Sequence, residues 1–181
     1  PARVEFERER SPMIRDAALL LFFPALMAYA AASDLITMRI SNRISLALVA
    51  GFLVFAAATQ VPLATVGWHF ACGFLVLVIT YVLFAIGQIG GGDAKLAAAT
   101  ALWFGFPHVL EYGLVASILG GGLTLGLLAL RRWPAPRFVR ETPWMFRLHN
   151  PKVGIPYGVA LAAAALLIYP ETRIWTAGVV G

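Results

Sequence analysis

Polar positions divide this chain into apolar runs of membrane-crossing length. Residues 44–92, 49 in a row, contain no Asp, Glu, Lys or Arg, and a helix needs about 20 residues to cross a bilayer core. That run holds two crossings, separated at "QVPLATVG", where Pro62 and Gly67 interrupt the pattern. The apolar runs predict six helices: 14–33, 44–59, 68–87, a fourth from Gly92 or Asp93 to just before Pro107, a fifth over 108–130 and a sixth over 153–169. The fourth is short for a full crossing. Pro24 in the first helix and Pro156 near the start of the sixth are tolerable, because neighbouring helices in a membrane satisfy freed backbone groups. Short alternating segments of the β-barrel kind are absent. The expected fold is all-α and polytopic, with about six transmembrane helices. They form one membrane domain over 14–170, between a polar N-terminal segment, 1–13, and a C-terminal tail, 171–181.

Composition agrees with this reading. The 181 residues are 60% hydrophobic and 13% charged, where a soluble domain carries about a quarter charged residues. More membrane follows the first apolar run, rather than a cleavage site and a soluble domain, so it does not read as a signal peptide. Cys72 is the sole cysteine and sits in an apolar run. It has no internal disulfide partner and no CxxC mate for zinc, and reads as a small packing residue. His69, His108 and His149 are scattered over different helix ends. No metal, cofactor or nucleic-acid partner is expected.

Lysines and arginines orient the helices. If the loop after the first helix is cytoplasmic, the inner segments hold nine of the 14 basic residues: Arg39, Arg43, Lys95, Arg131, Arg132, Arg137, Arg140, Arg147 and Lys152. Arg3, Arg8, Arg10 and Arg15 at the N-terminus and Arg173 near the C-terminus fall outside. Both termini are therefore expected outside, with three inner loops. The third of these, 131–152, mixes cations with Trp133, Phe138, Trp144 and Phe146 and suits an anionic inner leaflet. It is expected at the interface, either as a segment that covers a site or as a simple anchor.

This orientation puts Asp34 and Asp93 on one side of the membrane, at the inner ends of the first and fourth helices. No other acidic residue abuts an apolar helix there. A carboxylate at the membrane boundary is costly unless solvated or partnered. Two that approach closely do not both ionise readily, so the pair offers a general base and a general acid together. Gly90–Gly92, just before Asp93, permit a break in the backbone and close approach of another chain. They also suit a plain flexible loop, and an acid at a helix N-terminus is favoured by the dipole alone.

"GGGDAKL" resembles the GxGD motif of the type IV prepilin peptidases, a family of membrane aspartic proteases. "SDLITMRISNRISL" is similar to that family's other motif, in which Ile-Pro-Asn follows an aspartate six residues on. "PKVGIPYGVALAAAAL" resembles its last-helix pattern. The resemblance covers about residues 14–170 and implies that Asp34 and Asp93 are the catalytic dyad and that Gly90 and Gly92 are the motif glycines. Asn42 matches the motif asparagine and is also placed to N-cap the second helix. Arg39, Arg43 and Lys95 either orient the site or anchor helices at the inner surface, and Tyr157 and Gly158 pack the last helix near the site. Ser41 stands where the family has proline.

Longer members carry an inner soluble domain with two CxxC pairs and methylate the new N-terminus. The chain resembles the short, peptidase-only members that process Flp/Tad-type pilins, which speaks against methylation. The resemblance implies a pilin precursor as substrate, membrane lipids as partners, a place in the bacterial cytoplasmic (inner) membrane, and room for contact with pilus-assembly machinery. Presenilin-type proteases also use a GxGD aspartate, but pair it with one in the preceding helix; here Asp34 and Asp93 are 59 positions apart with two helices between them. A proton-coupled transporter or a non-enzymatic scaffold of a secretion machine are the readings outside proteolysis.

Overall fold

The computed structural model describes residues 2–172, and the side chains of residues 20–172. The charges expected between Arg3 and Asp16 and at Arg173, and most of the 171–181 tail, lie outside the described side chains. The elements are α1 (Ala2–Thr37), α2 (Asn42–Ala58), α3 (Leu63–Ala85), α4 (Gly91–Leu130), the short α5 (Arg137–Glu141) and α6 (Pro143–His149), and α7 (Tyr157–Ile168), followed by a 3-10 turn at Tyr169–Glu171. Among the described residues three stretches are long and apolar enough to cross a membrane: Leu20–Thr37, Leu63–Ala85 and Gly91–Leu130. Asn42–Ala58 and Tyr157–Glu171 are shorter apolar helices. The chain is therefore all-α and polytopic.

The expected fourth and fifth helices are the two arms of α4, 91–104 and 106–130, which meet at Gly105 with φ 64° and ψ −176°. Only glycine takes that conformation without strain, and a Cβ there would also meet the His69 ring at 3.0 Å. Pro107 cannot donate a backbone hydrogen bond, and the break leaves carbonyls of the first arm open. His69 Nδ1 lies 2.8 Å from Leu102 O. A carbonyl only accepts, so Nδ1 carries the proton in this contact.

The first arm of α4 is the central post. Every residue from Leu96 to Gly105 is buried, as befits a helix that is apolar all round. Trp103 is its hub. Its ring packs on Phe23 (5.0 Å between centroids), Phe52 (6.0 Å) and Phe55 (6.1 Å), and its Nε1–H donates to Leu48 O at 2.9 Å. The outer surface is the reverse. Leu110, Leu114 and Ile118 of the second arm are exposed, as are Phe74, Val78, Ile79 and Val82 of α3. Contiguous apolar surface of this kind belongs against lipid rather than water.

Several helix ends differ from expectation, each for a local reason. α1 runs on to Thr37, so Asp34 sits in its last turn rather than past its end. α3 begins at Leu63, directly after Pro62, and the last helix waits until Pro156 has passed. The N-cap of α2 is Ser41, not Asn42: the Ser41 hydroxyl accepts from Arg43 N at 3.3 Å. The serine that replaces the family's proline thus holds the turn by a hydrogen bond. The basic segment 131–152 carries two short helices, fixed at both ends. Arg131 donates to Leu148 O (2.8 Å), Val153 O and Gly154 O (3.1 Å each), and Arg147 donates to Ile36 O (3.0 Å).

Candidate active site

Asp34 is 5% exposed. Its Oδ2 accepts the backbone N–H of Gly158 at 2.8 Å, across 124 residues of sequence. That bond joins the end of α1 to the start of α7, where the first amides of a helix have no partner of their own. Gly158 is a glycine because there is no room for more. A Cβ would stand 2.8 Å from Asp34 Oδ2 and 3.1 Å from Asp34 Cγ.

Asp93 is in the first turn of α4, behind the N-cap Gly90. Its carboxylate folds back over that glycine, so that a Cβ on Gly90 would lie 2.7 Å from Oδ2. Gly92 packs on Ile40, with a would-be Cβ 3.1 Å from Ile40 Cβ and 3.4 Å from Ile40 O. The two motif glycines therefore serve close approach: one seats the carboxylate and the other lets the turn after α1 close on α4.

The two carboxylates share two cavities. One, of about 640 Å³, is bounded by the loop 87–90, Thr124, Arg131, the segment 153–155 and Tyr157. The other, of about 700 Å³, is bounded by Ser33, Thr37, the turn 39–41 and Gly90–Gly92. Both are lined by Asp34 and Asp93. Two acidic groups facing common space, with backbone amides beside them, can hold and activate a water and deliver a proton across it.

The other candidate residues divide. Tyr157 lines the first cavity and Arg39 the second. Lys95 turns away: its Nζ donates to Asn42 Oδ1 at 3.0 Å, tying α4 to α2 at the mouth of a separate apolar groove. Arg43 lines neither cavity. Sequence reasoning missed Met38, which lines both cavities, and read Arg131 only as a topology signal and as part of the interfacial basic segment. Among the described residues no group of three His, Cys, Asp or Glu side chains is placed to hold a metal.

Neither the curated proteins nor the solved structures provide a match to this chain. The type IV leader peptidase family matches residues 21–125, more than half of the chain, and the matched stretch contains both Asp34 and Asp93. The apolar helices agree with a multi-pass place in the bacterial inner membrane. The chain belongs to the type IV leader peptidase family, and so is a membrane aspartic endopeptidase of the GxGD kind that acts on prepilin-type leader sequences.

Proposed function

We propose that Asp34 and Asp93 are the catalytic dyad and that they cut the precursor at the cytoplasmic face of the membrane. The observation that carries this is the common space: both aspartates line the same two cavities, and the Gly158 N–H of α7 holds Asp34 there. With one aspartate ionised and the other protonated, the ionised one takes a proton from a water held between them. The water oxygen attacks the scissile carbonyl carbon. The second aspartate gives its proton to the amide nitrogen as the C–N bond breaks. The leader leaves with a new carboxylate and the mature chain with a new amine. Activity then requires the singly protonated pair, so its pH profile is a bell set by the macroscopic behaviour of the dyad.

In this reading α1, α2, α3, both arms of α4 and α7 make six spans within one domain over 14–170, with both termini outside. The excess of Lys and Arg in the loops after α1, α3 and α4 supports this orientation. The inner surface potential holds a basic leader in the cytoplasm, while the apolar segment that follows stays in the bilayer. The bond between them lies at the depth of the two aspartates. The 181 residues hold a single cysteine and no CxxC pair, which supports a Flp/Tad-type pilin precursor as substrate and speaks against methylation.

The test is co-expression with the pilin precursor of the same host. Wild type yields the shortened pilin. Asp34→Asn and Asp93→Asn, each inserted to the same level, yield none. Normal processing by both variants sinks the dyad and leaves a scaffold. Loss of ion flux with no cleavage by the wild type points to a transporter.

A further inference from the structure

Three side chains are common to the two cavities: Asp34, Asp93 and Met38. The fourth shared residue, Gly90, has no side chain. Met38 is thus the one residue besides the two aspartates and Gly90 that borders both cavities, and it brings an unbranched thioether side chain of three carbons and a sulfur. Met38 is also one of two non-glycine residues with positive φ among the described residues, at 56°. It ends α1, with its N–H donating to Asp34 O at 2.8 Å. Helices that stop in this left-handed conformation do so most often on glycine. A glycine would make the same turn without strain, and backbone strain of this kind gathers at functional sites. What the methionine adds to the turn is its side chain.

The turn is held firmly. Ser33 Oγ donates to Arg39 O at 2.9 Å, and the Thr37 hydroxyl donates to Ser33 O at 2.7 Å with Arg39 O at 3.2 Å as its alternative acceptor. Ile40 packs against Gly92 on one side and Gly158 on the other. Met38 is thus fixed relative to both aspartates by their own supporting glycines.

We propose that Met38 is a specificity-determining residue, a septum that limits the size of the precursor side chain flanking the scissile bond. This rests on the dyad assignment above. A peptide whose scissile carbonyl sits between Asp34 and Asp93 must send its two halves into the two cavities. The residue at the crossing point then passes over the one other side chain shared by both. Methionine suits the place: it is apolar, unbranched and adaptable, so it closes on a small flanking side chain and obstructs a large one.

The test measures cleavage by the full-length protein in membranes. The precursors differ only at the residue on either side of the bond, running through Ala, Val, Leu and Phe. Met38→Gly and Met38→Asn keep residues that tolerate the left-handed turn, and Met38→Leu keeps the bulk. The wild type prefers Ala over Phe at one of the two positions. Met38→Gly and Met38→Asn shrink that preference about tenfold in kcat/KM, of the order that one or two methylenes command in an apolar pocket, and Met38→Leu restores it. An unchanged preference in Met38→Gly overturns the proposal. So does loss of all cleavage by Met38→Gly and Met38→Asn when both insert normally: both keep the turn, so the side chain would then be needed for cleavage itself and not for discrimination. Failure of the dyad reading looks different: Asp34→Asn and Asp93→Asn would still cleave, whatever the flanking residue.

Discussion

Gly158→Ala tests how α7 sets the site. The added Cβ would stand 2.8 Å from Asp34 Oδ2, whereas ordinary contact begins near 3.4 Å. The carboxylate or the helix must therefore retreat by about 0.6 Å. The Gly158 N–H bond to Oδ2, now 2.8 Å, stretches toward 3.4 Å, beyond the usual limit of about 3.2 Å. A hydrogen bond to a charged group contributes about 1.5–3 kcal/mol, which is about ten- to hundredfold in rate. Ile40 Cδ1 is also in the way at 2.5 Å, but as the end of a flexible side chain it moves at little cost. The assay is single-turnover cleavage of the precursor in membranes, normalised to inserted enzyme, with Gly126→Ala as control because a Cβ there meets nothing within 4 Å. The rate of the chemical step should fall by that factor with little change in KM, because the lost contact orients a reacting group rather than holding the substrate. Cleavage within twofold of wild type would refute the idea that the amide of α7 places Asp34.

Arg131→Gln removes the donors to Leu148 O, Val153 O and Gly154 O, so limited proteolysis should cut within 137–156 sooner and turnover should fall about tenfold or more; Arg131→Lys, which lacks the planar fork, should not rescue it. Trp103→Phe breaks the buried bond to Leu48 O and should lower stability in detergent by about 1–3 kcal/mol, read as a lower unfolding midpoint. A cysteine placed in 137–149 should resist an impermeant thiol reagent in intact cells, and labelling from outside would reverse the orientation.

The aspartates were legible in the sequence because membrane chains tolerate few charges. Once the helices were counted, only Asp34 and Asp93 abutted apolar runs on one face. The break within α4 was legible for a similar reason, since Pro107 cannot continue a helix. Contacts made through the backbone were not. Arg131, Arg147 and His69 each bond a carbonyl, and every residue has one, so no partner residue betrays them. Met38 was hidden because nothing about methionine announces a left-handed turn. The one available signal was position, since a helix ending within a few residues of Ser41 had to reverse somewhere in 37–40 without a glycine to help. The N-cap was misplaced by one residue because serine and asparagine are equally able to cap; Asn42 instead serves Lys95.

Two of the elements that meet at the aspartates, α7 and the first arm of α4, are short. α7 has 12 residues, about 18 Å at 1.5 Å per residue, beside a hydrocarbon layer of about 30 Å. The arm of α4 that carries Asp93 ends at Gly105 and is scarcely longer. That arm of α4 is buried in the bundle, so lipid meets a short element only at α7, through Leu166 and Leu167; a bilayer that thins to match it there brings headgroups and water closer to that side of the bundle. If the precursor is cut at Asp34 and Asp93, as proposed, a thinned bilayer would bring the aqueous boundary toward the bond instead of requiring the peptide to be lifted out. Turnover in vesicles becomes a function of acyl-chain length, greatest where the bilayer already matches the short helices.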